Sequence, residues 1–142
     1  FSNWPAFIDV DEEFYARPES GALMGSPADE TPMEPCDVQP EEMDIAIAVD
    51  RLQKSTTLDI RRINRSWAGL RSFVADKTPV VGFDPVAEGF FWLAGQGGYG
   101  IQTAPSMGCV SAALAMGEAV PADLHRFGVR PADLSPARFK EG

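Results

Sequence analysis

Basic residues are scarce in this sequence. Its 142 residues carry 12 Lys and Arg against 21 Asp and Glu, a formal charge of -9 and a pI near 4.5. A surface of that sign repels phosphate backbones and offers no basic stripe, which argues against DNA or RNA as partners. Long apolar runs are missing as well. None approaches the roughly 18 residues needed to span a bilayer, and no charged-then-apolar leader opens the chain, so a soluble chain is expected rather than an integral membrane protein. Cysteine is nearly absent: Cys36 falls in a proline-rich loop and Cys109 in an alanine-rich stretch. No disulfide framework is readable, and a cytoplasmic location is the expectation. The one histidine, His125, lies in a proline-rich tail, where a surface position without a catalytic role is expected. No repeat and no low-complexity tract occurs, and no metal-ligating set is assigned.

What is present is ordinary globular composition, 44% hydrophobic and 23% charged, enough to bury one core. Residues 6–10 and 13–17 alternate as strands, and 22–25 reads as the return strand of a hairpin after a Pro18-to-Gly21 turn. The chain begins at Phe1 and reaches a strand at once with no earlier element to pair it, which is expected of a piece of a longer protein. Pro40, at an expected first helical position, and the acidic pair after it open a helix over 40–54, with Ile45, Val49 and Leu52 on one face. Residues 67–74 read as a further antiparallel strand, and 79–83 and 89–94 as short strands, the last buried on both faces. A glycine loop, 95–100, leads into a helix over 102–117 that is apolar nearly all round and therefore expected inside. Its small residues Gly108, Ala112 and Ala115 share a face that a sheet or cofactor could approach.

Gly95, Gly97 and Gly100 satisfy G-x-G-x-x-G between a strand and a helix, the setting of a dinucleotide fingerprint. The second half of the test fails, because Glu118 is followed by Ala119-Val-Pro121 rather than by a second parallel strand ending in an acidic residue. A plain structural turn remains open. So does a third reading: open backbone N–H groups beside a helix N-terminus suit an electron-rich carbonyl or anion, such as the edge of a reduced flavin. Upstream, Arg71 stands in an apolar setting, where its planar fork suits a carboxylate; a structural salt bridge is the alternative. Tyr15, on a strand, is by residue type more often packing than ligand.

Trp67-Ala-Gly-Leu-Arg71, Asp76, Pro79 and Gly82, followed by Gly95-Gln-Gly-Gly-Tyr-Gly-Ile-Gln-Thr-Ala-Pro105 and Gly108, closely resemble the C-terminal half of the D-amino-acid oxidase family of FAD enzymes. Phe14-Tyr-Ala-Arg-Pro-Glu-Ser-Gly21 and Gly25 resemble that family's Tyr-x-Arg-Pro-Glu element, and the glycine-loop spelling, with the Pro131-Ala-Asp133 and Leu134-Ser-Pro-Ala-Arg138 ending, is most similar to the D-arginine dehydrogenase type. Many members have Pro where Ser72 stands, Gly where Lys77 stands and His where Gln96 stands.

The resemblance implies an α+β, C-terminal fragment of a two-domain FAD-linked oxidoreductase, its antiparallel substrate-domain sheet joined to a strand-helix piece of the FAD domain. Residues 1–76 would belong to the substrate domain, 77–120 to the FAD domain and 121–142 to a tail, with the N-terminal FAD-binding half as the missing partner. It implies oxidative deamination of a D-amino acid, with hydride passing from Cα to flavin N5 and the imino acid hydrolysed to a 2-oxo acid and ammonia. Arg71 would clamp the substrate carboxylate, the Tyr15 hydroxyl would assist, and the Gly98 carbonyl would accept from the substrate amine. Gly69, Gly97, Gly98, Tyr99, Gly100, Ile101 and Gln102 would line the flavin, Gly98 and Gly100 being expected at positive φ. No residue is assigned as catalytic in its own right, and the fragment alone is not expected to hold FAD. The competing reading is a non-catalytic acidic interaction module, or a flavoprotein subunit, that keeps the fold.

Overall fold

The computed structural model describes residue 1 and residues 3–139, which form two compact units, Phe1–Leu70 and Arg71–Gly142. The fold is mixed, with small antiparallel sheets and helices in each unit.

In the first unit β1 (Phe7–Ile8), β2 (Tyr15–Glu19) and β3 (Ala22–Ser26) form an antiparallel sheet in that order. The hairpin closes more tightly than the sequence implies. Pro18 and Glu19 stay in β2, and only Ser20 (φ 48°) and Gly21 (φ 80°) make the turn, both left-handed as a two-residue hairpin requires. Pro18 is tolerated because β1 pairs only with Tyr15 and Ala16, leaving β2 an edge strand at the proline. Helix α1 (Glu42–Ser55) starts two residues after Pro40, which lies outside it, with Glu41 as N-cap. Glu42 and Asp44 in the first turn and Lys54 in the last oppose the helix dipole, and Lys54 pairs with Asp50 at 2.7 Å. Leu52 lies over Gly25, where a Cβ would stand 2.5 Å from its Cδ1; the helix rests on the sheet because that position has no side chain. Phe14, Ala16 and Leu52 form the core, with Phe7, Leu23 and Ile60 against it.

The strand expected over 67–74 is not formed: residues 60–74 carry no regular structure. Alternating side chains make a strand only where a neighbour completes its ladder, and no described strand pairs with this run. Trp67 and Leu70 are correspondingly exposed.

In the second unit β4 (Val80–Phe83) and β5 (Phe91–Ala94) pair as an antiparallel hairpin, Val81 opposite Leu93. Asp84 ties its turn, Oδ1 accepting from the amides of Val86 and Ala87 and Oδ2 from the Trp92 indole at 2.8 Å. Helix α2 (Gly100–Ala115) packs on β4, and α3 (Ala122–His125), α4 (Pro131–Leu134) and a 3₁₀ turn at Pro136–Phe139 follow. Val81, Val110, Val120 and Leu134 are the core.

Two expectations about burial are corrected here. In β5 Trp92 and Leu93 are exposed, and in α2 only Val110, Ser111 and Ala113 are buried, while Ile101 is 96% exposed. A two-stranded hairpin and short tail helices can cover one face of an apolar helix, not all of it. Gly108, Ala112 and Ala115 lie on the exposed side.

Candidate functional site

The glycine turn is built against residues 71–74. The Gly97 amide donates to the Ser72 carbonyl at 3.0 Å, the one backbone hydrogen bond that fixes the register of the two segments. Around it the side chains of one segment fill the space that the glycines of the other leave. A Cβ on Gly95 would stand 3.1 Å from Val74 Cγ1, one on Gly97 2.7 Å from Phe73 Cε1, and one on Gly98 3.1 Å from Arg71 Nη1. The segments thus run in opposite directions, and two of the residues singled out from the sequence, Arg71 and Gly98, are brought together.

Positive φ falls on Gly95 (73°) and Gly97 (55°), and not on Gly98 or on Gly100, whose φ is -55°. This corrects the expectation for the latter pair. Residues 97–99 form a 3₁₀ turn, and Gly100 is already the first residue of α2, so a right-handed conformation is what continuity into the helix demands. The left-handed positions are those that swing the chain from β5 into that turn.

The N-terminus of α2 has no side-chain cap and no acidic residue in its first turn. Its first amides therefore keep the partial positive charge that a helix start carries. The Thr103 hydroxyl donates back to the Tyr99 carbonyl at 2.8 Å, and Pro105 cannot return an amide to the Ile101 carbonyl. Tyr99, Ile101 and Gln102 are exposed around this opening. Arg71 is exposed too, on irregular backbone rather than inside the apolar strand expected for it, with its Cζ 5.2 Å from the centre of the Phe73 ring. Lys77 Nζ lies 5.8 Å from the same ring, so both cations are within cation–π reach of the aromatic that shapes Gly97.

Tyr15 belongs to the first unit. It pairs with Ile8 and Ser26 and turns its ring to the face of β2 opposite the buried Ala16, which leaves it 39% exposed. Gly69 also belongs there, and a Cβ on it would meet nothing within 4 Å. His125 is exposed on α3.

A family model described as FAD dependent oxidoreductase matches residues 2–114. The chain belongs to that family. The flavin of an FAD-dependent oxidoreductase needs a backbone surface without side chains and donors for its electron-rich carbonyl edge. Residues 97–102 meet the need for donors through the uncapped first amides of α2, while the space beside Gly97 and Gly98 is taken by Phe73 and Arg71 of the same chain. Among the described residues no helix is long and apolar enough to cross a membrane.

Sequence reasoning missed the supports of this turn. The Ser72 carbonyl has no signature, since any residue supplies one, but Phe73 and Val74 stood beside Arg71 as bulky neighbours for a glycine-rich partner. Arg138, the last residue of the Leu134-Ser-Pro-Ala-Arg138 ending, was given no role from the sequence. Its Nε donates to Asp76 Oδ2 at 2.7 Å, and this hydrogen bond, before the Asp76–Thr78 backbone contact, holds the Asp76 carboxyl below the usual carboxylate range.

Proposed function

We propose that this chain is the substrate-binding and flavin-edge part of an enzyme that oxidatively deaminates D-amino acids, of the D-arginine dehydrogenase type. The observation that carries the reading is the guanidinium of Arg71 set beside Gly98, at the mouth of the glycine turn and the uncapped start of α2. A planar fork there suits an α-carboxylate bidentately. The Gly98 carbonyl would accept a hydrogen bond from the substrate amine, and the Tyr15 hydroxyl would donate to the same carboxylate. Tyr99, Ile101, Gln102 and the backbone of Gly69, Gly97 and Gly100 would hold the ring. When bound, the flavin supplies the two-electron acceptor for the Cα–H of the amino acid. The chain itself orients Cα by gripping the two charged groups that every α-amino acid carries.

On this reading residues 1–76 work as a substrate domain, 77–120 as part of an FAD domain and 121–142 as a tail. The nucleotide half of FAD is then held by chain outside these residues, and residues 1–142 alone would not retain the cofactor. Cys36 and Cys109 are both free thiols, as suits a reducing cytoplasm.

Arg71→Ala in the full-length flavoprotein tests the proposal. Losing a bidentate charge-assisted contact is expected to cost about 3 to 5 kcal/mol, or roughly two to three decades or more in kcat/KM, with FAD retained. Arg71→Lys restores only part, since a point charge does not reproduce the fork. Unchanged kcat/KM for D-amino acids in Arg71→Ala, with a lowered melting temperature, would return Arg71 to a structural ion pair.

A further inference from the structure

Arg138 lies beyond the span matched by the family model, yet it is anchored from several sides. Its Nε and Nη2 reach the two carboxylate oxygens of Asp76 at 2.7 and 3.2 Å, and Nη1 donates to the carbonyls of Leu134 at 2.8 Å and Ser135 at 3.0 Å. Nη2 also donates to the Thr78 carbonyl. Only 14% of this side chain is exposed.

It grips a strained turn. Lys77 sits at φ 55°, a left-handed conformation that non-glycine residues rarely adopt. The Lys77 amide donates to the Val74 carbonyl at 2.9 Å, and Asp76 Oδ1 accepts from the Thr78 amide at 3.0 Å. Such a conformation persists when its surroundings over-determine it, and Arg138 supplies the contact from outside the turn. Immediately before the turn come Val74, Phe73, Ser72 and Arg71, the four residues that pack or bond to the glycine turn. A relaxation of Lys77 to negative φ would alter the path of the chain entering this run. It would carry Phe73 off Gly97 and Arg71 off Gly98.

We propose that Arg138 is a positioning residue: through Asp76 and the left-handed Lys77 it sets the register of residues 71–74 on the glycine turn, and so the placement of the Arg71 guanidinium. The inference rests on the reading of Arg71 as the carboxylate clamp for its functional consequence, but its structural half stands apart from it.

The test uses the full-length holoenzyme with Arg138→Ala, Arg138→Lys and Asp76→Asn, with D-arginine as substrate probe. Hydrogen exchange of the Gly97 amide reads the register directly. In Arg138→Ala it is expected to accelerate about tenfold or more, as a protected amide does when its local structure loosens. The apparent KM is expected to rise about tenfold, with kcat within about twofold and flavin content unchanged, because the clamp is displaced and not removed. Arg138→Lys should resemble Arg138→Ala, since an ammonium cannot span the carboxylate and the carbonyls together. Either wild-type Gly97 exchange or a wild-type KM in Arg138→Ala overturns the proposal, even if the melting temperature falls. Should that variant fail to fold, Asp76→Asn, which keeps a hydrogen-bonding side chain, carries the same two readouts. Arg71→Ala in parallel separates the two ideas. If it leaves kcat/KM intact, or if D-arginine and other D-amino acids are not turned over, the clamp reading fails and Gly97 exchange alone decides on Arg138. If it is crippled beside a wild-type-like Arg138→Ala, only the positioning role fails.

Discussion

Arg71 and Gly98 are fitted to one another: the guanidinium Nη1 stands 3.1 Å from the place a Cβ on Gly98 would take. The absent side chain is what lets the cation lie against the backbone at the start of α2. Because φ at Gly98 is not positive, substitution there strains no backbone. Gly98→Ala is therefore expected to leave the melting temperature and flavin content close to wild type while pushing the arginine aside by a few tenths of an ångström. The apparent KM for a D-amino acid should rise roughly three- to tenfold, since small misplacements of a binding group are costly. Steady-state kinetics with flavin absorbance per protein checks this; an unchanged KM would show that Arg71 works in another position.

Gly97→Ala should behave differently. Its Cβ would meet Phe73 Cε1 at 2.7 Å on a backbone already at φ 55°. Strain of this kind costs about 1 to 3 kcal/mol, so both melting temperature and flavin occupancy should fall. Thermal melts set beside those of Gly98→Ala test the contrast. Equal stabilities in the two variants would contradict it.

Tyr15→Phe keeps the ring and removes one hydrogen bond. With the hydroxyl on a carboxylate, about 1 to 3 kcal/mol of substrate binding is lost, seen as a higher KM at unchanged flavin content. A KM equal to wild type would make Tyr15 a packing residue of β2.

The Asp76–Arg138 pair carries a pH signature. The Asp76 carboxyl titrates below its ordinary value of 3.8, chiefly because Arg138 donates to it. A lowered folded-state value means that the pair stabilises fully above the unfolded-state titration and loses that contribution as pH falls below about 4 through the folded value. Asp76→Asn should thus melt below wild type at pH 6, and the gap should narrow as the pH falls below about 4. A gap that stays constant across that range would mean the carboxylate charge is irrelevant.

Some of this was legible in the sequence, for physical reasons. The hairpin at 15–26, the helix at 42–55 and the glycine turn before α2 are local structures, written in alternation, turn residues and helix periodicity within a few positions of each other. The run at 60–74 was not legible, because a strand is a statement about a neighbour and this run has none among the described strands. The left-handed positions in the glycine turn were misplaced onto Gly98 and Gly100 because composition says that glycines are needed and not which of them turns the chain. Lys77 illustrates the converse. This chain holds a lysine there at φ 55°, and the contact of the distant Arg138 with the neighbouring Asp76 is nothing that a local pattern announces.

The open side of α2 bears on how the protein behaves in a tube. Ile101, Gly108, Ala112, Ala115 and the capping Met116 are each exposed, as are Phe83, Phe90 and Leu93 on the hairpin. Greasy surface of that extent is salted out readily by sulfate or phosphate and is soothed by mild urea, so ammonium sulfate should precipitate residues 1–142 at a lower concentration than the acidic charge of -9 would lead one to choose.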